Sequence, residues 1–71
     1  MNLQDAVMKE LIEEKVPVTL FLMNGFQIMG IIKAHDEMTV AVIIDGKHQL
    51  LYKHAISTIA PIRSLKCLQE Q

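Results

Sequence analysis

Residues 16–26, VPVTLFLMNGF, decide the fold, because they contain one β-strand, a turn and the start of a second strand. Pro17 cannot continue a helix and favours an extended conformation at Val16, so a strand begins here. The residues that follow are mainly β-branched, aromatic or aliphatic, as strands prefer. Asn24 and Gly25 then supply the positive φ angles of a type I′ turn. The stretch therefore predicts a β-hairpin.

The residues before this hairpin predict one amphipathic helix, from about residue 3 to about residue 14. Apolar side chains recur every three or four positions, at Leu3, Val7 and Leu11, and charged side chains occupy most of the other positions. Asn2 is suited to cap the N-terminus of this helix. A helix of about three turns therefore precedes the first strand.

The rest of the chain predicts four further strands with short connections. The five strands are expected at about 16–23, 26–35, 38–44, 47–53 and 56–60. Asp45-Gly46 is a second hairpin signal of the same type as Asn24-Gly25. Gly30, inside the second strand, indicates a bulge or a sharp bend. This order predicts a mainly β fold, with one helix and a small, strongly bent antiparallel sheet or open barrel.

The size of the chain predicts oligomerisation. The chain has 71 residues, of which 51% are hydrophobic, and a domain this small buries only about 60% of its surface on folding. Cys67 is the only cysteine, so the chain has no internal disulfide, and no Cys/His pair has zinc-ligand spacing. Association of several copies is the remaining means of stabilisation. An open strand edge that pairs head to tail with the next copy would close a ring.

Charge and hydropathy restrict the partners and the compartment. The net charge is −1 with neutral histidines, which argues against nucleic-acid binding through a large basic patch. Lys47, His48, Lys53 and His54 nevertheless cluster, whereas many carboxylates lie near the N-terminus. No apolar run reaches the length of a membrane span, and the N-terminus lacks the apolar core of a signal peptide. With Cys67 as the lone thiol, the sequence favours the cytoplasm.

A polar cluster at residues 52–54, Tyr-Lys-His, is the first candidate binding site. Its aromatic ring, cation and imidazole lie where one strand passes into the next, and each can contact a base or a phosphate. The alternative is a solvated strand end with a buried tyrosine. The segment 52–58, YKHAIST, together with residues 16–26, resembles the Hfq family of bacterial Sm-like RNA-binding proteins.

The resemblance extends over about residues 3–61 and implies an Sm-like fold. It also implies a homohexameric ring, closed by pairing of the fourth and fifth strands of neighbouring copies. We therefore expect an Sm-like domain at residues 1–61, and residues 62–71 are expected to form a short, mobile C-terminal tail.

The resemblance implies a uridine-binding pocket on one face of the ring, the proximal face. Lys53 and His54 match family residues that line this pocket, and Gln4 matches another. The family usually has an aromatic residue where this chain has Met38, and the charge of Glu37 opposes phosphate. Because stacking of a base on an aromatic side chain contributes about 1–3 kcal/mol, we expect weak binding of U-rich RNA at this face.

The resemblance implies a second RNA-binding surface on the opposite, distal face. Flat or apolar side chains would stack bases there, and amides would read base edges, so the expected ligand is A-rich or purine-rich RNA. The segment 21–27 is similar to the Gram-positive type of the family. The alternative is a hairpin whose aromatic residues fill the core. The residues assigned to this surface are Phe21, Asn24, Gly25, Phe26, Gln27, Ile28, Met29, Gln49 and Thr58.

The helix end departs from the family pattern. Many relatives carry two or three arginines there, which form a basic rim, whereas this chain has Ile12-Glu13-Glu14-Lys15. Lys15 is the only cation of this stretch. Rim-assisted annealing of RNA strands is therefore expected to be poor.

Other polar residues are interpreted as structural. Asp36 is expected to make a structural hydrogen bond near the subunit junction. Ser57 and Thr58 have no evident histidine–carboxylate partner. We expect His35 and His48 to be solvent-exposed strand or turn residues rather than metal ligands. The sequence therefore predicts no enzyme activity and no cofactor.

The function implied by the resemblance is that of an RNA chaperone in post-transcriptional regulation and stress response. Many weak pockets on one ring would hold small RNAs and messenger RNAs close together and promote their pairing. Two other classes of function stay open. One is a scaffold or interaction ring with weak RNA affinity, which the acidic helix end and Met38 favour; the other is a small enzyme.

Overall fold

A computed structural model describes residues 2–69, and the last two residues of the predicted tail lie outside this range. The elements are α1 Leu3–Glu13, β1 Pro17–Leu22, β2 Gln27–His35, β3 Thr39–Ile44, β4 Lys47–Tyr52 and β5 Ile56–Pro61, with 3₁₀ turns at Lys53–Ala55 and Lys66–Leu68. All neighbouring strands pair antiparallel in one sheet of order β4-β3-β2-β1-β5. The predicted fold class, one helix followed by a five-stranded antiparallel sheet, is confirmed.

The helix α1 begins at its predicted cap and ends in a sharp reversal. The Asn2 side chain accepts a hydrogen bond from the backbone N–H of Asp5 at 3.1 Å, which satisfies one of the free amides of the first turn. At the other end Lys15 adopts a positive φ of 51°, and the Val16 N–H donates to the Leu11 carbonyl at 3.1 Å. This reversal directs the chain from α1 into β1.

The core lies between α1 and one face of the sheet. Along β1 the buried residues Val18 and Leu20 alternate with the half-buried Thr19 and Phe21, because successive side chains of a strand point to opposite faces. The other aromatic residue of the hairpin, Phe26, is 69% exposed. The aromatic side chains of the hairpin therefore do not fill this core. The buried apolar residues are Met8, Leu11, Val16, Val18, Leu20, Ile32, Val40, Val42 and Leu65.

The two hairpin turns have different geometries. Asp45 and Gly46 both have positive φ angles, 51° and 79°, so the predicted type I′ turn is confirmed there. At the first hairpin Asn24 does not have a positive φ, and the predicted type I′ turn is wrong. The Gly25 N–H donates to the Leu22 carbonyl at 2.9 Å. A loop of three residues, with glycine alone in the left-handed region, closes this hairpin.

Gly30 marks a close approach between β2 and β3. A Cβ atom at this position would lie 2.5 Å from the Ile43 carbonyl oxygen and 2.8 Å from Cγ1 of Val42. The register of the two strands shifts between Ile32 and Ala34, a few residues beyond the glycine at which a bulge or a sharp bend was predicted. Only glycine fits at this approach without a shift of the neighbouring strand.

The C-terminal segment, residues 62–69, packs against α1, so the prediction of a mobile tail is wrong for these residues. Leu65 is only 2% exposed and belongs to the core. The Glu10 carboxylate accepts hydrogen bonds from the backbone N–H groups of Lys66 at 2.8 Å and Cys67 at 2.9 Å. A single buried leucine produces no periodic pattern, which is why the sequence did not predict this packing.

Candidate nucleic-acid interface

Gln4 and Lys53 line one cavity of about 320 Å³. Gln4 comes from the first turn of α1, and Lys53 comes from the 3₁₀ turn that follows β4. The fold therefore brings together two residues that are far apart in the sequence and were both predicted for the proximal pocket. The rest of the lining is mainly apolar. The other lining residues are Val7, Met8, Val40, Ile56, Ser57, Thr58 and Ile59.

The side chain of Lys53 makes a polar contact with His35 at the end of β2. The Lys53 Nζ lies 3.1 Å from the His35 Nδ1, and both residues are half-buried. An ammonium group can only donate a hydrogen bond, so the His35 Nδ1 is the acceptor in this contact. The sequence interpretation of His35 as a solvent-exposed residue is therefore wrong, whereas His48 is exposed as expected.

Asp36 shapes the loop that presents Glu37 and Met38. Its Oδ1 accepts hydrogen bonds from the Thr39 hydroxyl at 2.7 Å and from the backbone N–H groups of Thr39 at 2.8 Å and Met38 at 3.0 Å. The bonds from Thr39, followed by the bond from Met38, hold the pKa of Asp36 below its ordinary value, and the charge of Lys53 adds to this effect. Asp36 thus makes structural hydrogen bonds, while Met38 stays 61% exposed.

The strand end at residues 52–54 separates Lys53 from the other two polar side chains of the first candidate site, Tyr52 and His54. Tyr52 is 59% exposed, so the alternative with a buried tyrosine is wrong. Its ring stacks on His54, with the ring centroids 5.8 Å apart and the planes inclined by 27°. Lys53 lines the cavity, whereas His54 is exposed beside Tyr52. The backbone N–H of Lys53 donates to the Met38 carbonyl at 2.8 Å, which anchors this turn next to the Asp36 loop.

The residues predicted for the distal surface lie at two ends of the sheet. Phe21 in β1 pairs with Gln27 in β2 on one side and with Thr58 in β5 on the other, so these three residues are neighbours. Gln49 is in β4, the strand at the far edge of the sheet, where it pairs with Val42 of β3. A single chain therefore does not bring Gln49 to the other distal residues. Thr58 also lines the cavity that contains Lys53.

The first hairpin presents apolar side chains to solvent. Phe26 is 69% exposed and Met29 is 66% exposed. Met23, which sequence reasoning did not assign to this surface, is 68% exposed on the same loop. The Asn24 Oδ1 accepts a hydrogen bond from the Phe26 N–H at 3.0 Å and so fixes the loop. Ile28, by contrast, is half-buried and packs against the core.

The C-terminal segment brings two cations to the end of α1. The Arg63 Nη2 lies 2.6 Å from the Glu14 carboxylate, and its Nη1 lies 3.2 Å from the Glu10 carboxylate. The Lys66 Nζ lies 3.4 Å from Glu14. Sequence reasoning considered only Lys15 here, because nothing local indicated that Arg63 and Lys66 would reach this helix. The rim thus carries paired charges rather than free carboxylates alone.

Comparison with known protein families shows which family has this sequence and fold. The sequence profile described as "Hfq protein" matches residues 3–66, which is most of the chain. The chain belongs to the Hfq family. The match extends beyond residue 61, so part of the C-terminal segment lies within the family domain.

Individual relatives agree with the family assignment. The chain is similar to a protein of Syntrophomonas wolfei named RNA-binding protein Hfq, with 52% identity over 67 residues, covering 94% of this chain and 82% of the relative. A protein of the same name from Geobacillus kaustophilus is 50% identical over 70 residues, covering 99% of this chain and 93% of the relative. Both relatives match along nearly the whole chain, so the family resemblance is not confined to one motif.

A solved structure supports the fold. A crystal structure described as that of the pleiotropic translational regulator Hfq superimposes with a TM-score of 0.80 and 41% sequence identity. The alignment covers 83% of this chain and 98% of that chain. The Sm-like fold expected from the sequence is thereby confirmed. In addition, no helix within residues 2–69 is long and apolar enough to cross a membrane.

Proposed function

We propose that this protein is an RNA-binding ring that acts as an RNA chaperone in post-transcriptional regulation. The observation that carries the proposal is the convergence of Gln4 and Lys53 on one cavity. An amide and an ammonium group can donate hydrogen bonds to base carbonyls and phosphate oxygens. Relatives that are about half identical over nearly the whole chain are named RNA-binding protein Hfq.

The two edges of the sheet support the ring. The edge strands β4 and β5 lie at opposite ends of the sheet, and an edge strand offers unpaired backbone groups to another chain. Pairing of β4 with β5 of the next copy is head to tail, and its repetition closes a ring when the rotation between copies allows it. Six copies are expected from the family. This pairing would also bring Gln49 of one copy close to Thr58 of the next copy. Distal residues that lie far apart in a single chain would then be neighbours across the junction.

The proximal face would bind U-rich RNA through Gln4, Lys53 and His54. Its affinity would be low, because Met38 replaces an aromatic side chain and the adjacent Glu37 is an exposed carboxylate. The polar groups of this face would contact the base and the backbone, while the apolar wall of the cavity excludes water.

The distal face would bind A-rich or purine-rich RNA. The exposed side chains of Phe26 and Met29 offer surfaces on which bases can stack, and such stacking tolerates different sequences. The exposed amides of Gln27 and Gln49 would read base edges. Repetition around a ring converts weak single contacts into useful affinity by raising the effective concentration of each pocket. Two faces would hold a small RNA and a messenger RNA together. We place this activity in the cytoplasm, where an exposed thiol such as that of Cys67 stays reduced.

Fluorescence anisotropy of labelled oligo-A and oligo-U, titrated with purified protein, tests the proposal. We expect Phe26→Ala to weaken oligo-A binding about 5- to 100-fold, the range that one lost stacking contact supplies, and to leave oligo-U binding unchanged. Lys53→Met should weaken only oligo-U binding. Ile62→Ala is the matched control, since it removes an equally exposed apolar side chain (69%) outside both surfaces. Equal losses for both oligonucleotides in either variant would contradict the assignment of two faces.

A scaffold ring with little RNA affinity is the second candidate function. The end of α1 favours it, because Arg63 and Lys66 only offset the charges of Glu10 and Glu14 there and leave no net positive charge to attract phosphate. Native mass spectrometry of the sample used for anisotropy would separate the two functions. A closed ring that binds neither oligonucleotide at moderate salt would support the scaffold and overturn the RNA chaperone.

A further inference from the structure

We propose that His35 is a positioning residue that holds the Lys53 ammonium group in place for RNA, an inference that rests on the proposed proximal site. The Lys53 Nζ lies 3.1 Å from the His35 Nδ1, and both residues are half-buried. His35 does not line the cavity that contains Lys53 and Gln4. Its contact with the site is the one to the Lys53 side chain, so its role is to position that side chain.

The backbone segments of His35 and Lys53 are both fixed by hydrogen bonding to neighbouring parts of the chain. His35 is the last residue of β2 and pairs with the buried Val40 of β3. The backbone N–H of Lys53 donates to the Met38 carbonyl at 2.8 Å. The contact from Nζ to Nδ1 therefore joins two anchored segments. It removes part of the freedom of a flexible four-carbon side chain, which RNA binding would otherwise have to remove.

The chemistry of the contact suits a ligand-binding lysine. An ammonium group has three donors, so one hydrogen bond to Nδ1 leaves two donors for a base carbonyl or a phosphate. An imidazole nitrogen that accepts this hydrogen bond carries no negative charge, so it leaves the positive charge of Lys53 uncompensated. The nearby Asp36 contributes negative charge, but its Oδ1 already accepts three hydrogen bonds from its own loop. His35 thus orients the cation without neutralising it.

Three substitutions at position 35 separate orientation from charge. His35→Phe keeps an aromatic ring and removes the acceptor. His35→Asn supplies a neutral oxygen close to the position of Nδ1. His35→Asp has nearly the same shape as the asparagine variant but pairs Lys53 with a negative charge. Each variant is titrated as the intact protein with labelled oligo-U, and oligo-A binding reports whether the fold and the distal face are preserved.

We expect His35→Phe to weaken oligo-U binding about three- to tenfold, the range for one side chain that loses its preorganisation. His35→Asn should bind nearly as tightly as the unmodified protein, and His35→Asp should bind more weakly than His35→Asn. All three should bind oligo-A normally. In a Lys53→Met background, His35→Phe should cause no further loss, because residues that act as a unit are not additive.

Two results would overturn the inference while leaving the proximal site in place. One is oligo-U binding that is unchanged in His35→Phe. The other is a loss that is equally large in the Lys53→Met background, since His35 would then act independently of Lys53. If the unmodified protein bound oligo-A but did not bind oligo-U at all, the proposed proximal site would be wrong, and this inference would be wrong with it.

Discussion

At the scale of single residues, Glu10 has the most strongly lowered pKa among the carboxylates that the structure describes. The backbone N–H groups of Lys66 and Cys67, followed by the Arg63 side chain, lower its pKa from 4.5 to about 2, although its burial acts in the opposite direction. The folded state therefore favours the ionised form more than the unfolded chain does. Its contribution to stability is fully present above pH 4.5 and is lost as the pH falls toward 2.

We predict that Glu10→Gln lowers the urea midpoint of unfolding at pH 7 and that the difference from the unmodified protein shrinks as the pH falls below 4.5 toward 2. The glutamine loses the charge that strengthens the hydrogen bonds to Lys66 and Cys67. Urea titrations at several pH values would measure the difference. Glu13→Gln, at an exposed position of the same helix, should show little change. A constant difference between the Glu10→Gln variant and the unmodified protein at every pH would contradict the role of the carboxylate charge.

Met38 is the residue on which the proposed proximal face would stack a base. Its side chain is 61% exposed and sits on a loop fixed by Asp36. We predict that Met38→Phe strengthens oligo-U binding about three- to tenfold, since an aromatic ring stacks better than a thioether. Anisotropy with oligo-U measures the change, and Ile62→Phe controls for an added exposed aromatic ring. An unchanged oligo-U affinity for Met38→Phe would rule out stacking at this position.

At the scale of secondary-structure elements, the C-terminal segment depends on one apolar anchor. Leu65 is 2% exposed, whereas Leu68, three residues later, is 51% exposed. We predict that Leu65→Ala lowers the free energy of unfolding by about 2–4 kcal/mol per chain, as other buried leucines do. Leu68→Ala should change it by less than about 1 kcal/mol. Denaturant unfolding at a fixed protein concentration would measure both free energies. Similar, small effects for the two variants would show that the segment is not part of the stable core.

The same segment changes the electrostatics of the rim at the end of α1. Sequence alone predicted a rim in which Lys15 is the only cation, but the fold adds Arg63 and Lys66 beside Glu10 and Glu14. Exposed ion pairs of this kind stabilise little. They nevertheless reduce the repulsion that the carboxylates would exert on an RNA backbone. The chemical character of the rim is thus a joint property of the first and last elements of the chain.

At the scale of the whole molecule, the net charge of −1 limits binding that depends on phosphate contacts. Each phosphate contact to single-stranded RNA adds about 0.7 to the slope of log affinity against log salt. The side chains proposed for the distal face are uncharged, whereas Lys53 and His54 are proposed for the proximal face. We predict a steeper salt dependence for oligo-U than for oligo-A. Affinities measured at several salt concentrations would test this, and equal slopes would contradict the division of chemistry between the faces.

Local patterns along the chain were enough to predict the elements and the fold class. The cap at Asn2, the strand that begins at Pro17 and the type I′ turn at Asp45-Gly46 depend on interactions between close neighbours in sequence, which periodicity and turn chemistry describe. Gly30 was informative for the same reason, because a glycine inside a strand has few explanations. These features follow from backbone preferences that hold in any fold.

Contacts between distant parts of the chain were decided by the tertiary structure alone. The contact of His35 with Lys53, the docking of residues 62–69 on Glu10 and the placement of Gln49 at the far edge of the sheet each depend on strand order. The turn at Gly25 depends on which residues of β1 and β2 pair. Periodicity shows which face of an element is apolar but not which distant side chain meets it. Those partners are selected by the packing of the complete sheet against α1.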